Sequence, residues 1–397
     1  MQLKRVIYID YNFNDSRYPN KPGDGDSWFT HGFGGIYSRK FKYYNPEYTV
    51  ECWKADQHAK STESKVIDNV KFIIFPAYSI GLLGLFSPAI IKALRRTLKS
   101  QPETILNISS ISHLLFYSIA ILLKNVPIVV QHHGESPARF KMKHHRGIRK
   151  FAWKILTFLE YKALRNVSVL YVLDKDMEKW LSYRPQLIKV SSTGVDEELF
   201  RPIDKTLARQ KLGLSTDKEY LLYIGKLNKT KSPDLLIDIF IKLRKEINNL
   251  ELILGGCSEN DLFYKKAQLA GAHLIGKIPQ HEISVWMSAA SIYYLPRYSE
   301  AHKFGGVGML PVQAMFCNTP FIGSTMKCID AQLQSKLGFR ASETDEIIQA
   351  TRSVLENIKD YSQLRELVLP LYSWKAISTK TEEDYRNLLR TMEGSIN

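Results

Sequence analysis

Two lysines, one glutamate and a cluster of glycines are the residues of this 397-residue chain whose types and spacing suit chemistry on an anion. Lys226 and Lys231 stand in GKLNKTKSPD, directly after the apolar run YLLYI. Ser232-Pro233-Asp234 then opens a helix, with Ser as cap and Pro at the first helical position. Two cations in a loop that feeds a helix N-terminus face the same anion that the free N–H groups attract. Two solvated lysines fit the same positions. The second set lies in YLPRYSEAHKFGGVGMLPVQAMFCNTPFIGS. A strand ends there at Pro296, the carboxylate of Glu300 follows, and a loop with Gly305, Gly306 and Gly308 leads into a helix that begins near Leu310. Glycines let backbone N–H groups approach an anionic ligand closely, and a carboxylate holds sugar hydroxyls by accepting their hydrogen bonds. Such turns also arise for geometry alone.

Both sets require strands that end beside helix starts. Short apolar runs alternate with amphipathic helical patterns along the chain, the signature of parallel sheets with crossover helices. RVIYIDY, KFIIFPAY, TILNIS, PIVVQHH, VSVLYVL and LIKVSS read as strands, with helices from Ser87-Pro88 to about Lys99 and from His113 to Lys124. The polar stretch STGVDEELFRPID reads as a linker. The rhythm restarts with YLLYIG, LELILGG, HLIGKI, SIYYLP and TPFIGS, separated by helices from Ser232, near His281 to Ala290, and from Leu310 to Asn318. The expected fold class is α/β, with two Rossmann-like doubly wound domains, residues 1–195 and 196–372. A last helix, 373–393, carries Trp374, Ile377, Thr381, Tyr385 and Leu388 on one stripe and is expected to pack back on the first domain. Ligands of such sheets sit at the carboxyl ends of strands, so a cleft between facing domains is the expected site.

Composition narrows the partners. Hydrophobic residues at 44% and charged residues at 24% exclude disordered and fibrous classes. A net charge of +15 attracts anions. The four cysteines lack metal-ligand spacing, so a zinc site or disulfide framework is not expected and a reducing, cytoplasmic setting is. No signal peptide is read at the N-terminus. Phe72 to Ile91 is uncharged and of spanning length, but Pro76, Gly81, Gly84 and Pro88 break it, and it reads as a strand ending in a loop. Residues 139–165 hold nine Lys or Arg against the single acid Glu160, with Ile148, Phe151, Ile155, Phe158 and Leu159 at helical spacing. Such a helix either lies on an anionic membrane surface or packs on the core with a solvated basic face. The IGLLGLF loop adds a second apolar surface. A nucleic-acid partner is not expected, because the basic residues come without an aromatic platform or a known motif.

The succession STGVDEELFRP, YIGKLNKTKSPDLLIDIF, GKIPQHEISVWMSAASIYYLPRYSE, LPVQAMFCNTPFIGS and YSWKAISTKTEEDYRNLL resembles the retaining glycosyltransferases of family 4, group 1 glycosyl transferases with the GT-B fold. The likeness covers essentially the second domain and the closing helix. The first half is similar more loosely, through THGFGGIYSRKF and IVVQHHGE. The resemblance implies a hexosyltransferase-type enzyme that moves a sugar from a nucleotide-diphosphate donor, with retained configuration and no metal. It implies that Lys226, where Arg is usual, and Lys231 grip the donor diphosphate; Lys keeps the charge without the bidentate fork. Glu300 matches a donor-sugar ligand and, with His133 of HHGE, makes the catalytic pair; His132 is the competing register. Gly34 and Gly35 match a glycine pair near the donor phosphates, where Gly308 also falls, while Gly305 and Gly306 fall with the ribose or sugar.

The family's second glutamate is the departure. Its E-A-M reads Gln313-Ala314-Met315 here, and His302 to Gly306 form an insertion that places Val307-Gly308 on the usual Phe-Gly turn. Gln hydrogen-bonds ribose hydroxyls without charge. Asp24-Gly25-Asp26 has the D-x-D form of metal-dependent transferases, but its Gly/Pro-rich surroundings read as turns. The implied chemistry is front-face attack, with Lys226, Lys231 and backbone donors stabilising charge on the leaving phosphate. The expected acceptor is a glycan or lipid-linked sugar of cell-envelope polysaccharide or glycolipid synthesis, reached at the inner membrane face through 139–165. Gln313 and the insertion keep a catalytically silent sugar-nucleotide binder open, and a sugar-nucleotide epimerase on the same fold is the other reading.

Overall fold

Runs such as RVIYIDY and YLLYI are largely apolar because their strands are covered on both faces, as parallel sheets require. A computed structural model describes residues 4–11, 21–296 and 303–393. The chain divides into two compact units: Met1–Ser191 with Ile377–Asn397, and Ser192–Ala376.

The first unit contains strands β1 (Arg5–Tyr11), β2 (Thr49–Asp56), β3 (Glu63–Ile67), β4 (Val70–Pro76), β5 (Tyr78–Ser79), β6 (Leu85–Phe86), β7 (Thr104–Ser109), β8 (Ile128–Gln131), β9 (Val169–Val172) and β10 (Leu187–Val190). Eight of them form one sheet in the order β10-β9-β8-β7-β1-β2-β4-β3, while β5 and β6 pair as a hairpin. Only the edge pair β3–β4 of the large sheet is antiparallel. The helices that matter below are α1 (Phe33–Tyr44), α2 (Pro88–Ser100), α3 (Leu114–Leu122), α4 (Ala138–His144) and α5 (Gly147–Leu164). Ser87 caps α2 as its sequence predicts, accepting from the Ile90 N–H at 3.3 Å. The uncharged run from Phe72 resolves into β4, the hairpin and α2, and among the described residues no helix is long and apolar enough to cross a membrane.

Strand β2 escapes the sequence reading because TVECWKAD carries Glu51, Lys54 and Asp56. All three are buried and partnered. Glu51 takes Arg5 Nη2 and the Trp53 indole N–H, each at 2.6 Å. Asp56 accepts from the Trp28 indole at 2.7 Å. Lys54 donates to the His31 carbonyl.

The second unit is a six-stranded, all-parallel sheet made of β11 (Glu219–Ile224), β12 (Leu250–Gly255), β13 (His273–Ile275), β14 (Ile292–Leu295), β15 (Phe321–Gly323) and β16 (Gly338–Phe339), in the order β13-β12-β11-β14-β15-β16. Helix α6 (Pro233–Leu243) buries Leu236, Ile239, Phe240 and Leu243 against it. Helix α7 (Met309–Phe316) follows β14.

The boundary between the units falls between Ser191 and Ser192, where the stretch read as a linker begins, but that stretch is packed rather than loose: Val195 and Phe200 are each 1% exposed, and Arg365 donates to the carbonyls of Phe200 and Glu197. One sequence expectation fails here. Ser232 does not cap α6 through its side chain, because it sits at φ 51°, ψ 50°, left-handed rather than in the extended conformation that capping uses.

The closing helix α8 (Trp374–Glu393) joins the first unit from Ile377 onward. Its attachment is polar as well as apolar. Tyr48 Oη donates to Glu382 at 3.0 Å, Asn107 Nδ2 to Tyr385 Oη at 2.6 Å, and Lys189 pairs with Asp384. Leu389 is buried where the expected stripe placed Leu388.

Candidate active site

In the second unit the sheet winds from β11 to β12 on one side, then returns to place β14 on the other side of β11. That reversal makes the carboxyl ends of β11 and β14 a topological switch point, where such sheets receive ligands. Both candidate loops leave from these two strand ends. The loop after β11 is held by its own backbone. Gly225 N–H donates to the Gly255 carbonyl at 2.8 Å, Tyr223 Oη to the Lys226 carbonyl at 3.0 Å, Leu227 N–H to Asp261 at 3.0 Å and Thr230 N–H to Asn228 at 3.0 Å. With its carbonyl fixed, Lys226 extends an exposed side chain, while Lys231 is half-buried and desolvation holds its ammonium below the ordinary lysine value.

After β14, Gly306 and Gly308 adopt φ 66° and 87°, conformations a side chain would strain, and Gly308 directly precedes α7. Thr325 Oγ1 donates to the Val307 carbonyl at 3.0 Å and pins the turn. Gly305 lies in the same loop, half-buried, and Gln313 lies buried one turn into α7. Glu300 and His302 lie outside the described residues. Lys226, Lys231, Gly305, Gly306, Gly308 and Gln313 thus belong to the loops and helices that follow two adjacent parallel strands.

In the first unit the switch point falls between β1 and β7, since β1 pairs with β2 on one side and β7 on the other. Gly34 and Gly35 open α1 beside Asp10. The Gly34 N–H donates to Asp10 Oδ2 at 2.8 Å, so this donor is already committed to a carboxylate of the chain. A Cβ on Gly34 would stand 2.8 Å from Asp10 Cβ, and one on Gly35 2.1 Å from the Thr30 carbonyl oxygen. Close approach alone therefore demands both glycines. Burial pushes the Asp10 carboxyl up, against the opposing pull of Lys54 and the N–H groups of Tyr11 and Gly34.

His133 follows β8 and lies flat on Phe33, the first residue of α1, with ring centroids 3.8 Å apart and planes at 6°. Both ring nitrogens are buried without a partner among the described residues. Burial takes the imidazole down to about 3, so it is neutral at physiological pH. The competing His132 is tied down through Nε2, 2.7 Å from the Glu135 carbonyl. Gly34, Gly35 and His133 are thus gathered around Phe33.

The residue missed in the sequence is Glu135. Its carboxylate accepts from Ser110 Oγ at 2.5 Å, the Ile111 N–H at 2.7 Å and the His133 N–H at 3.0 Å, joining the loops after β7 and β8. Burial alone would raise its pKa; His132, His133 and the hydrogen bonds outweigh it and hold the group at about 2. An acid two residues beyond the histidine in HHGE was the available signal. Asp24-Gly25-Asp26 makes a turn: Asp24 accepts from the Lys21 N–H at 2.9 Å and Asp26 pairs with Lys65. Among the described residues no three His, Cys, Asp or Glu side chains gather as metal ligands would.

Residues 204–367 match the family described as glycosyl transferases group 1. A D-inositol 3-phosphate glycosyltransferase of Frankia alni is 31% identical over 156 residues, 36% of this chain and 37% of that protein. The GPI3 subunit of a Saccharomyces cerevisiae phosphatidylinositol N-acetylglucosaminyltransferase is 26% identical over 251 residues, 60% of this chain and 54% of that one. The chain thus spans about half, or less, of the curated relatives it matches. Among solved structures, sucrose-phosphate synthase from Thermosynechococcus elongatus superposes with a TM-score of 0.67 at 18% identity, covering 98% of this chain and all (100%) of that one. The Anabaena protein HepE in complex with UDP gives 0.64 at 14%, covering 96% and 100%. These likenesses show the fold, which is GT-B.

Proposed function

We propose, from the premise that residues 204–367 of the chain belong to the glycosyl transferases group 1 family, that the protein is a retaining, metal-independent hexosyltransferase. It moves a sugar from a nucleotide-diphosphate donor to a glycan or lipid-linked acceptor of cell-envelope polysaccharide or glycolipid synthesis, at the inner face of the membrane. One observation carries the reading: Lys226 and Lys231 leave one strand end of a switch point and a glycine turn leaves its neighbour. Names of the relatives support it, since those proteins are glycosyltransferases of inositol compounds, and the Anabaena neighbour holds UDP.

In this reading the bond between the sugar's anomeric carbon and the diphosphate oxygen breaks while an acceptor hydroxyl forms the new bond on the same face. The hydroxyl proton passes to the departing phosphate. Lys226, Lys231 and the backbone N–H groups of the glycine turn meet the charge that develops there, the kind of preorganised stabilisation that supplies most of the rate enhancement of many enzymes. Gln313 hydrogen-bonds the ribose, Glu300 the donor sugar. Neutral His133, whose buried nitrogens have no partner among the described residues, hydrogen-bonds a sugar hydroxyl without adding charge.

The test is a thermal-shift panel of nucleotide sugars, including UDP-glucose and GDP-mannose. A donor at about a hundred times its Kd stabilises by roughly 2.7 kcal/mol. A wild-type protein that no donor stabilises defeats the proposal. Donor binding without turnover, equal in wild type and Glu300→Ala, favours the silent binder that Gln313 suggests.

A further inference from the structure

Of the two readings open for this segment, the structure has helix α5 turn its apolar stripe outward. Its core side is made of Trp153, Leu156, Glu160, Ala163 and Leu164. The other side carries Ile148, Phe151, Ile155 and Phe158, exposed to 86, 64, 49 and 55%. Spacings of three, four and three residues set these four on a single stripe, about 15 Å long at 1.5 Å per residue. Isolated exposed apolar residues are ordinary, but a continuous stripe of four on one helix marks a contact surface.

The charge around the stripe identifies what covers it. Lys150 and Lys154 are exposed along its edge, and Lys162 Nζ lies 4.6 Å from the Phe158 ring centroid. Arg146 and Arg149 extend the basic margin at the helix start. The sole acid between 139 and 165, Glu160, is buried, where it accepts from the Ala138 N–H at 2.9 Å and Ser182 Oγ at 3.0 Å. The outward side is therefore cationic and apolar together. A second copy of the chain would set like charge on like charge. Nucleic acid would leave the aliphatic stripe in water. A bilayer with anionic headgroups meets both needs: phosphates take the Lys and Arg heads, and the acyl boundary takes the Ile and Phe side chains.

We infer that α5 seats the first unit on an anionic bilayer, with Ile148, Phe151, Ile155 and Phe158 entering the headgroup boundary and Lys150, Lys154 and Lys162 binding lipid phosphates. This deepens the lipid-side acceptor proposed above and rests on that reading only for its purpose, since the contact itself needs no donor chemistry. Helix α3, which packs against both α5 and β6, bears exposed Leu122 at 48%. The hairpin beyond β6 exposes Tyr78 and Ile80, so apolar surface continues in elements attached to the same helix.

The experiment is flotation of the full chain with vesicles of phosphatidylcholine alone and with about one third phosphatidylglycerol. Wild type floats with the anionic vesicles and not with the neutral ones. Phe151→Ser with Phe158→Ser abolishes flotation. Both side chains are exposed, so the variant folds, which unchanged thermal unfolding verifies. Lys150→Glu with Lys154→Glu weakens binding by at least about 25-fold, counting about fivefold for each lost positive charge, and raised salt mimics it. Wild type that stays at the bottom of the gradient, or flotation indifferent to both double variants, overturns the inference. So does a wild-type dimer that the Phe variants dissociate, with no vesicle binding, which assigns the stripe to a second copy. Donor thermal shifts on the same proteins keep the two proposals apart: vesicle binding survives Lys226→Ala with Lys231→Ala, and donor binding survives the Phe variants.

Discussion

The strand ends of the first unit are filled by the chain's own charges, whereas the loop after β11 in the second holds its backbone fixed and extends a lysine into solvent. Asp10, Lys54, Asp56 and Glu135 close on backbone groups and on one another's loops, and even the Gly34 N–H at the start of α1 is used. After β11 and β14, by contrast, backbone contacts fix the loops while Lys226 extends an exposed side chain. One unit has converted polar residues into rigidity. In the proposed function the other presents Lys226 to a ligand. Substitutions in the first should therefore register as stability, and substitutions in the second as affinity.

The sharpest test of that contrast is Lys226→Ala with Lys231→Ala. Each charge-assisted contact to a phosphate contributes roughly 1.5–3 kcal/mol, so donor affinity measured by calorimetry should fall about a hundredfold or more while the unfolding midpoint stays within a degree or two of wild type. Lost stability with retained affinity would erase the distinction.

Next comes Glu160, buried on the core side of α5 and raised by burial to about 7. A carboxyl whose folded pKa lies above its unfolded value contributes stability fully below pH 4.5, and that contribution fades as pH rises toward 7. The difference amounts to something on the order of 3 kcal/mol. Glu160→Gln should remove this decline, so the variant gains on wild type in denaturant titrations between pH 5 and pH 8 (about one such window). Parallel curves would show that the carboxyl is not confined as described.

Glu135→Ala strands Ser110 Oγ and the N–H groups of Ile111 and His133, at a cost of roughly 2–3 kcal/mol. Faster amide exchange at 110–111 and 133, with Glu135→Gln intermediate, is the expected signature; unchanged exchange would mean that the loops hold without it. The smallest effect is Tyr48→Phe, which deletes one bond to Glu382 and should cost about 1 kcal/mol, with donor affinity untouched.

What the sequence disclosed follows the range of the forces involved. RVIYIDY and TILNIS are strands to the residue, because an apolar run flanked by polar residues has little else to become. Strand β2 is invisible to that rule: its Glu51, Lys54 and Asp56 are buried only because Arg5, Trp28 and the His31 carbonyl arrive from elsewhere in the chain. Lys226 and Lys231 were legible as a loop between strand and helix. Glu135 was not, since its meaning depends on Ser110 and Ile111, 25 and 24 residues away. Ser232 shows the opposite failure, a residue type suited to capping whose backbone turns it left-handed.

Helix α8 begins with Trp374 against Gly194, so close that a Cβ there would meet the indole at 2.5 Å, and three turns on it carries Tyr385, bonded to Asn107 and Tyr8. During synthesis the sheet from Arg5 to Val190 emerges before the second unit, and the tyrosine that covers its centre emerges only after it. Domains ordinarily fold in the order they are made. Here the earlier half stays incomplete, with Tyr8 and Asn107 at its strand centre uncovered, until the second unit has been translated.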